Sequence, residues 1–150
     1  MLLIGQPETQ QELEEYFDLR WRILRAPWQQ PRGSEKDEYD ELADHITVRN
    51  EQGTLLGVGR LHLTDNSEAQ IRYMATEANC RNVGIGKAIV ERLETIAYAH
   101  GVERVVLNAR DNVVGFYERL GYVVIGAGPT LFNEIRHQKM EKRLFAANAK

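Results

Sequence analysis

The sequence predicts an α/β (α+β) chain: a mixed, mostly antiparallel sheet of about seven strands flanked by about four helices. Three observations in the 150 residues predict it. Short runs rich in β-branched residues, such as HITVR, LLGVGRLHL and RVVLNA, are bounded by turn residues. Apolar residues at helical spacing follow some of these runs. The breaks between them are Gly, Asn and Asp, with no linker, repeat or low-complexity tract. Residues 1–150 are read as one domain, long enough for a sizeable core.

The elements follow in order. Residues 2–4 are a short apolar run suited to an edge strand. Residues 7–25 read as a helix with Leu13, Phe17, Leu19, Ile23 and Leu24 on a rough apolar side, ended by Ala26-Pro27. A polar, turn-rich stretch follows, in which Ser34 with Asp37 resembles an N-cap signature and predicts a short second helix. Residues 45–49 form a strand, Asn50, Gln52 and Gly53 a hairpin turn, and residues 55–63 the next strand. Gly57 and Gly59 within it imply a close backbone approach or a bulge. After the turn Asp65-Asn66-Ser67, residues 69–76 form a third strand. Ile85, Ile89, Leu93, Ile96 and Ala97 then share one helical face, with Gly101 as the stop. Residues 104–109 read as a buried strand. Asp111 is placed to cap a helix that Gly121 ends. Strands at 122–125 and 135–144 close the chain.

Composition excludes several classes. The formal net charge is −3 with no run of one sign, so no nucleic-acid partner is expected. No apolar stretch reaches membrane-spanning length and the start, MLLIGQPETQQ, has no leader pattern, so no membrane association is expected. Cys80 is the single cysteine, which suits a reducing, cytoplasmic setting. No metal is expected.

The chemistry-bearing stretch is RNVGIGK, residues 81–87, directly before a clean helical pattern. A Walker loop needs Gly-Lys-Ser/Thr, but Ala88 follows Gly86-Lys87 and Arg81 stands where the first glycine belongs. A dinucleotide fingerprint needs a third glycine where Ile89 stands. An anion on the helix N-terminus remains, because first-turn N–H groups lack internal partners and glycines let an anion approach.

Arg81, Gly84 and Gly86 fit Gln/Arg-x-x-Gly-x-Gly/Ala, and Tyr117-x-x-x-Gly121-Tyr122 follows at the right distance. With these two motifs the chain resembles the GCN5-related N-acetyltransferase (GNAT) family. The resemblance implies the GNAT fold and the co-substrate acetyl-CoA. It implies a diphosphate cradle at Arg81, Asn82, Val83, Gly84, Ile85, Gly86 and Lys87. It also implies a pantetheine arm paired along Met74, Ala75 and Thr76, with the Met74 N–H polarising the thioester. Asn108 stands in for the family asparagine, whose position holds Arg110. Tyr117 maps to the general acid. The fourth-strand glutamate of many relatives is missing, with Arg72 in that region. Glu134, His137, His62 and His45 are the candidates for the base, and Glu134 with His137 in NEIRHQKM is similar to a branch of the family with a Glu…His…Met tail. Arg25, Arg72 and Trp28 are candidates for the substrate side, where a guanidinium clamps a carboxylate well. The Arg-Gly-Ser-Glu segment and Ile-Arg-His tail are also similar to the acetyltransferase half of bacterial acetyltransferase/hot-dog thioesterase proteins. The implied reaction is acetyl transfer to a primary amine by direct attack in a ternary complex. A non-catalytic acyl-CoA-binding module is the alternative. The expected partner is a small-molecule amine, with a homodimer as a further candidate.

Overall fold

The computed structural model describes residues 1–65, 67–80 and 83–144. Strand β1 (Leu3–Gly5) precedes helix α1 (Gln10–Leu24), and β2 (Asp44–Arg49), β3 (Leu55–Asp65) and β4 (Glu68–Thr76) form a meander. Helix α2 (Ile85–Ala99) leads to β5 (Arg104–Arg110), and α3 (Val114–Arg119) to the hairpin of β6 (Val123–Leu131) and β7 (Ile135–Arg143). The seven strands lie in the order β1-β2-β3-β4-β5-β7-β6. Only β4 and β5 pair in parallel; every other neighbour is antiparallel.

Helix α1 begins at Gln10, three residues later than expected, because Thr9 closes a capping box with Glu12. Its inner stripe also differs: Tyr16, Leu19 and Arg20 are the fully buried positions. The short helix expected after Ser34 is absent. A turn and one 3-10 turn, Asp40–Leu42, take its place. The Asp37 carboxylate accepts from the Tyr39 N–H and the Asp40 carboxylate from the Asp37 N–H, local bonds that compete with a helix.

Helices α1 and α2 cover opposite faces of the sheet. Ile85, Ile89, Val90, Leu93 and Ala97 of α2 pack on Val48, Leu61, Ile71 and Val105. Tyr16 and Leu19 of α1 pack on Val58 and Ala75. The glycines of β3 let α2 settle on the sheet: a Cβ at Gly59 would stand 2.5 Å from Ile89 Cγ2 and 2.8 Å from Met74 Sδ. Asp111 does not cap α3; its carboxylate accepts from Gln138 Nε2 at 3.3 Å, and a 3-10 turn Asp111–Val113 intervenes. Gly121 does end α3, at φ 99°. Strand β6 runs well past the expected residue 125, held by β7 despite two register breaks. No described helix is long and apolar enough to cross a membrane.

Candidate active site

A wedge opens in the middle of the sheet. The β4–β5 register runs from Glu68↔Arg104 to Ile71↔Leu107 and stops, although both strands continue. At the parting, Tyr73 has φ 58°. Arg72 pairs with Arg60 and Ala75 with Val58, so Tyr73 and Met74 both stand opposite Gly59. This bulge turns Tyr73 toward α1 while Met74 faces α2. A tyrosine at positive φ costs about 1–2 kcal/mol, and such strain collects at functional sites. The remainder of β4, with Met74, Ala75 and Thr76, has no β5 residue in register beside it.

The glycine turn stands at the same end of the sheet. Arg81 and Asn82 lie outside the described residues. Val83 and Gly84 are exposed; Gly84 holds φ 85° as the N-cap of α2, and no side chain of the described residues caps the helix. No atom of the described residues lies within 4 Å of a Cβ placed at Gly84. A Cβ at Gly86 would stand 3.1 Å from Phe116 Cζ, so this glycine seats α3 against the start of α2. Ile85 anchors the first turn in the core and Lys87 is exposed. Amides that no described side chain caps, at a dipole's positive end and beside a lysine, suit an anion such as a diphosphate.

Tyr117 is buried on the α2 side, with its ring edge-on to Phe116 at 4.9 Å and to Tyr122 at 5.8 Å. Burial alone pushes its phenol up, so it stays protonated at working pH. Its hydroxyl has no hydrogen-bond partner among the described residues.

The α1 side carries the charged groups. Arg20 and Arg60 are fully buried. Asp40 Oδ1 lies 3.0 Å from Nη1 of each, and Asp37 bridges Arg60 to Arg72 at 2.5 and 3.1 Å. Arg20 Nε and Arg60 Nε have no hydrogen-bond partner among the described residues. His45 accepts from the Tyr16 hydroxyl at Nδ1 and donates from Nε2 to the Asp40 carbonyl. His62 accepts from Arg60 at Nδ1 and stacks on Tyr39 at 4.6 Å. Burial holds both imidazoles below their usual range, with the neighbouring arginines acting the same way.

His137 sits on this face, opposite Arg110 of β5. Its Nδ1–H donates to the Pro129 carbonyl at 2.9 Å. A Cβ at Gly128 would stand 3.0 Å from Asn108 Oδ1 and 3.1 Å from His137 Cβ, so these three positions meet closely. Asn108, Gly128 and Pro129 help line a cleft of about 330 Å³. Glu134 stands apart, exposed in the β6–β7 turn. Arg25 and Arg72 both lie over Tyr73, at 5.6 and 4.6 Å, whereas half-buried Trp28 makes no ring contact with either. Arg20 points into the core, and Arg22 turns away to Asp18 and Glu77. The arginines and tryptophans near the end of α1 thus do not form one patch.

The profile of the acetyltransferase (GNAT) family matches residues 13–122. The chain belongs to the GNAT acetyltransferase family. This GNAT chain is 27% identical over 135 residues to the uncharacterized N-acetyltransferase YjcF of Bacillus subtilis, covering 90% of this chain and 95% of that one. A GNAT-family acetyltransferase from Staphylococcus aureus Mu50 shares the fold at TM-score 0.78 and 18% identity, covering 96% and 99%. So does a GNAT acetyltransferase from Elizabethkingia anophelis, solved with acetyl-CoA bound, at TM-score 0.78 and 14% identity, covering 95% and 98%.

Tyr73, Phe116, Pro129 and Asp40 carry no motif signal of a role in this GNAT chain, and Asp37 carries only that of an N-cap partner. A bulge built on tyrosine leaves no compositional trace. The acidic cluster Asp37, Glu38, Asp40 and Glu41 was the one visible sign that buried arginines needed partners.

Proposed function

We propose that this GNAT protein transfers acetyl from acetyl-CoA to a primary amine by direct attack in a ternary complex. One observation carries the reading: β4 and β5 part past Ile71 and Leu107, beside an uncapped, glycine-led helix start. The acetyl-CoA bound in the Elizabethkingia anophelis structure supports it.

Residues 83–87, with Arg81 and Asn82, would hold the diphosphate. Met74, Ala75 and Thr76 would pair with the pantetheine arm, and Asn108 would contact it across the wedge. Acetyl-CoA supplies an activated thioester. The Met74 N–H polarises its carbonyl oxygen. On the acceptor face, His137 Nε2 takes the ammonium proton, since Nδ1–H is committed to Pro129. Exposed Glu134 is left out of this role. On the opposite face, the buried Tyr117 phenol gives its proton to the departing sulfur. Base and acid thus work from the two sides of the sheet, with the wedge as their meeting point.

Arg72 in place of a β4 carboxylate favours a second reading, a module that binds acyl-CoA without turnover. Thiol release with a panel of amines separates the two. Transfer predicts turnover that falls about 100-fold or more in Tyr117→Phe. Coenzyme A binding with no turnover of any amine supports the second reading.

A further inference from the structure

We infer that the acceptor amine carries a carboxylate, gripped by Arg25 and Arg72 beside the Tyr73 ring; this rests on the acetyltransferase reading above. Four guanidinium carbons surround that ring: Arg20 at 4.3 Å, Arg72 at 4.6 Å, Arg60 at 4.9 Å and Arg25 at 5.6 Å. Three of them share Asp37 and Asp40. Arg25 is 7% exposed, yet no carboxylate of the described residues lies within ion-pair distance of it. Its Nε and Nη1 donate to the carbonyls of Ser34 and Leu24, and the Tyr73 hydroxyl also acts on the guanidinium.

Buried Glu35 acts on Arg25 only from a distance, since its Oε1 accepts the Gly33 N–H at 2.8 Å. The facing charges are therefore Arg20, Arg25, Arg60 and Arg72 against Glu35, Asp37 and Asp40, one positive charge in excess. His45 and His62 add none while neutral. Burial and then the charge of Arg72 both work against the Arg25 cation, with Tyr73 and Glu35 opposing them. A buried guanidinium next to another, with no anion of its own, is stabilised by any anion that joins them. The Arg72 side chain is 40% exposed, so the pair is open to solvent on that side. Phe132, at the tip of the β6–β7 hairpin and 5.5 Å from the Arg25 guanidinium, forms an apolar wall. Two planar forks beside aromatic faces match the two oxygens of a carboxylate. The site lies on the sheet face that holds His137, the proposed base.

The test pairs amino acids with their carboxamides: glycine, β-alanine, γ-aminobutyrate, leucine and phenylalanine. Thiol release should favour the acid over its amide by about tenfold or more in kcat/KM for the best acceptor. Arg72→Ala, at a half-exposed position, and Arg25→Lys, which keeps the charge but loses the fork, should bring that ratio toward one. In thermal denaturation with coenzyme A present, the acids should raise the midpoint more than the amides, and Arg72→Ala should erase the difference. Amides used as well as acids by the wild type, or a ratio unchanged in Arg72→Ala, overturns the inference. If no member of the panel is acetylated, the transferase reading is decided by the wider amine panel above, and the thermal contrast alone decides the anion site: equal shifts for acids and amides overturn it.

Discussion

His137 Nδ1 and the Pro129 carbonyl oxygen are 2.9 Å apart, which fixes the imidazole tautomer. A neutral imidazole has one N–H, so Nε2 keeps its lone pair. The strand partner of His137 is Arg110, at the end of β5 where the wedge is open. His137→Gln should lower kcat about 100-fold or more while acetyl-CoA affinity stays within about twofold. Steady-state kinetics beside calorimetric titration checks both halves. An unchanged kcat would remove His137 from the reaction.

Gly84→Asp should abolish measurable acetyl-CoA binding. It sets a carboxylate against the diphosphate, at a position where a Cβ meets no described atom within 4 Å. The positive φ adds about 1–2 kcal/mol of strain, so the folded state should persist. Isothermal titration reads the affinity and circular dichroism the fold. Wild-type affinity in a folded Gly84→Asp protein would exclude the glycine turn as the diphosphate site.

Gly59→Ala should destabilise the fold by about 1–3 kcal/mol. The new methyl collides with Ile89 and Met74, so either α2 lifts from the sheet or the bulge shifts. Urea denaturation gives the stability. A change below about 0.5 kcal/mol would mean that α2 packs less tightly than described.

Asp40→Ala should cost about 3–5 kcal/mol near neutral pH, because it leaves Arg20 and Arg60 buried with too few partners. In the folded chain burial pushes the Asp40 carboxyl up, but Arg20, the Asp37 N–H and Arg60 outweigh it and hold it below the usual range. Asp37 is lowered in the same way, burial being outweighed mainly by Arg60. A depressed carboxyl contributes stability above its unfolded value of about 3.9, and that contribution is lost as pH falls through the folded value. His45 and His62 are depressed by burial first, so their share fades as pH drops below about 6.5. Wild-type stability should therefore begin to fall below about pH 6.5 and fall faster below about pH 4. Urea denaturation across pH should show this, with a shallower acid limb in Asp40→Ala. Equal acid limbs would mean that Asp40 is not coupled to the arginines.

Much of the fold was legible where backbone geometry demands a residue type. Gly53, Gly101 and Gly121 all hold positive φ at the turns where strands or helices end. The helical face from Ile85 to Ala97 packs as its spacing implied. The acceptor side was less legible. Arg20 and Arg60 look like solvated positions by residue type, and the folding back of Asp37 and Asp40 supplies the anions that make their burial tolerable. The length of β6 was hidden by Gly126, Gly128 and Pro129, which read as a loop and pair only through an irregular register. Tyr73 at positive φ depends on the register of β3 against β4, a long-range relationship that no local pattern reports.

A crystal structure with acetyl-CoA bound tests the central claim most directly. The diphosphate should contact the amides of residues 84–86, the thioester carbonyl the Met74 N–H, and the sulfur should face the Tyr117 hydroxyl within the wedge past Ile71 and Leu107. A diphosphate held elsewhere, or a pantetheine arm outside that wedge, would contradict it.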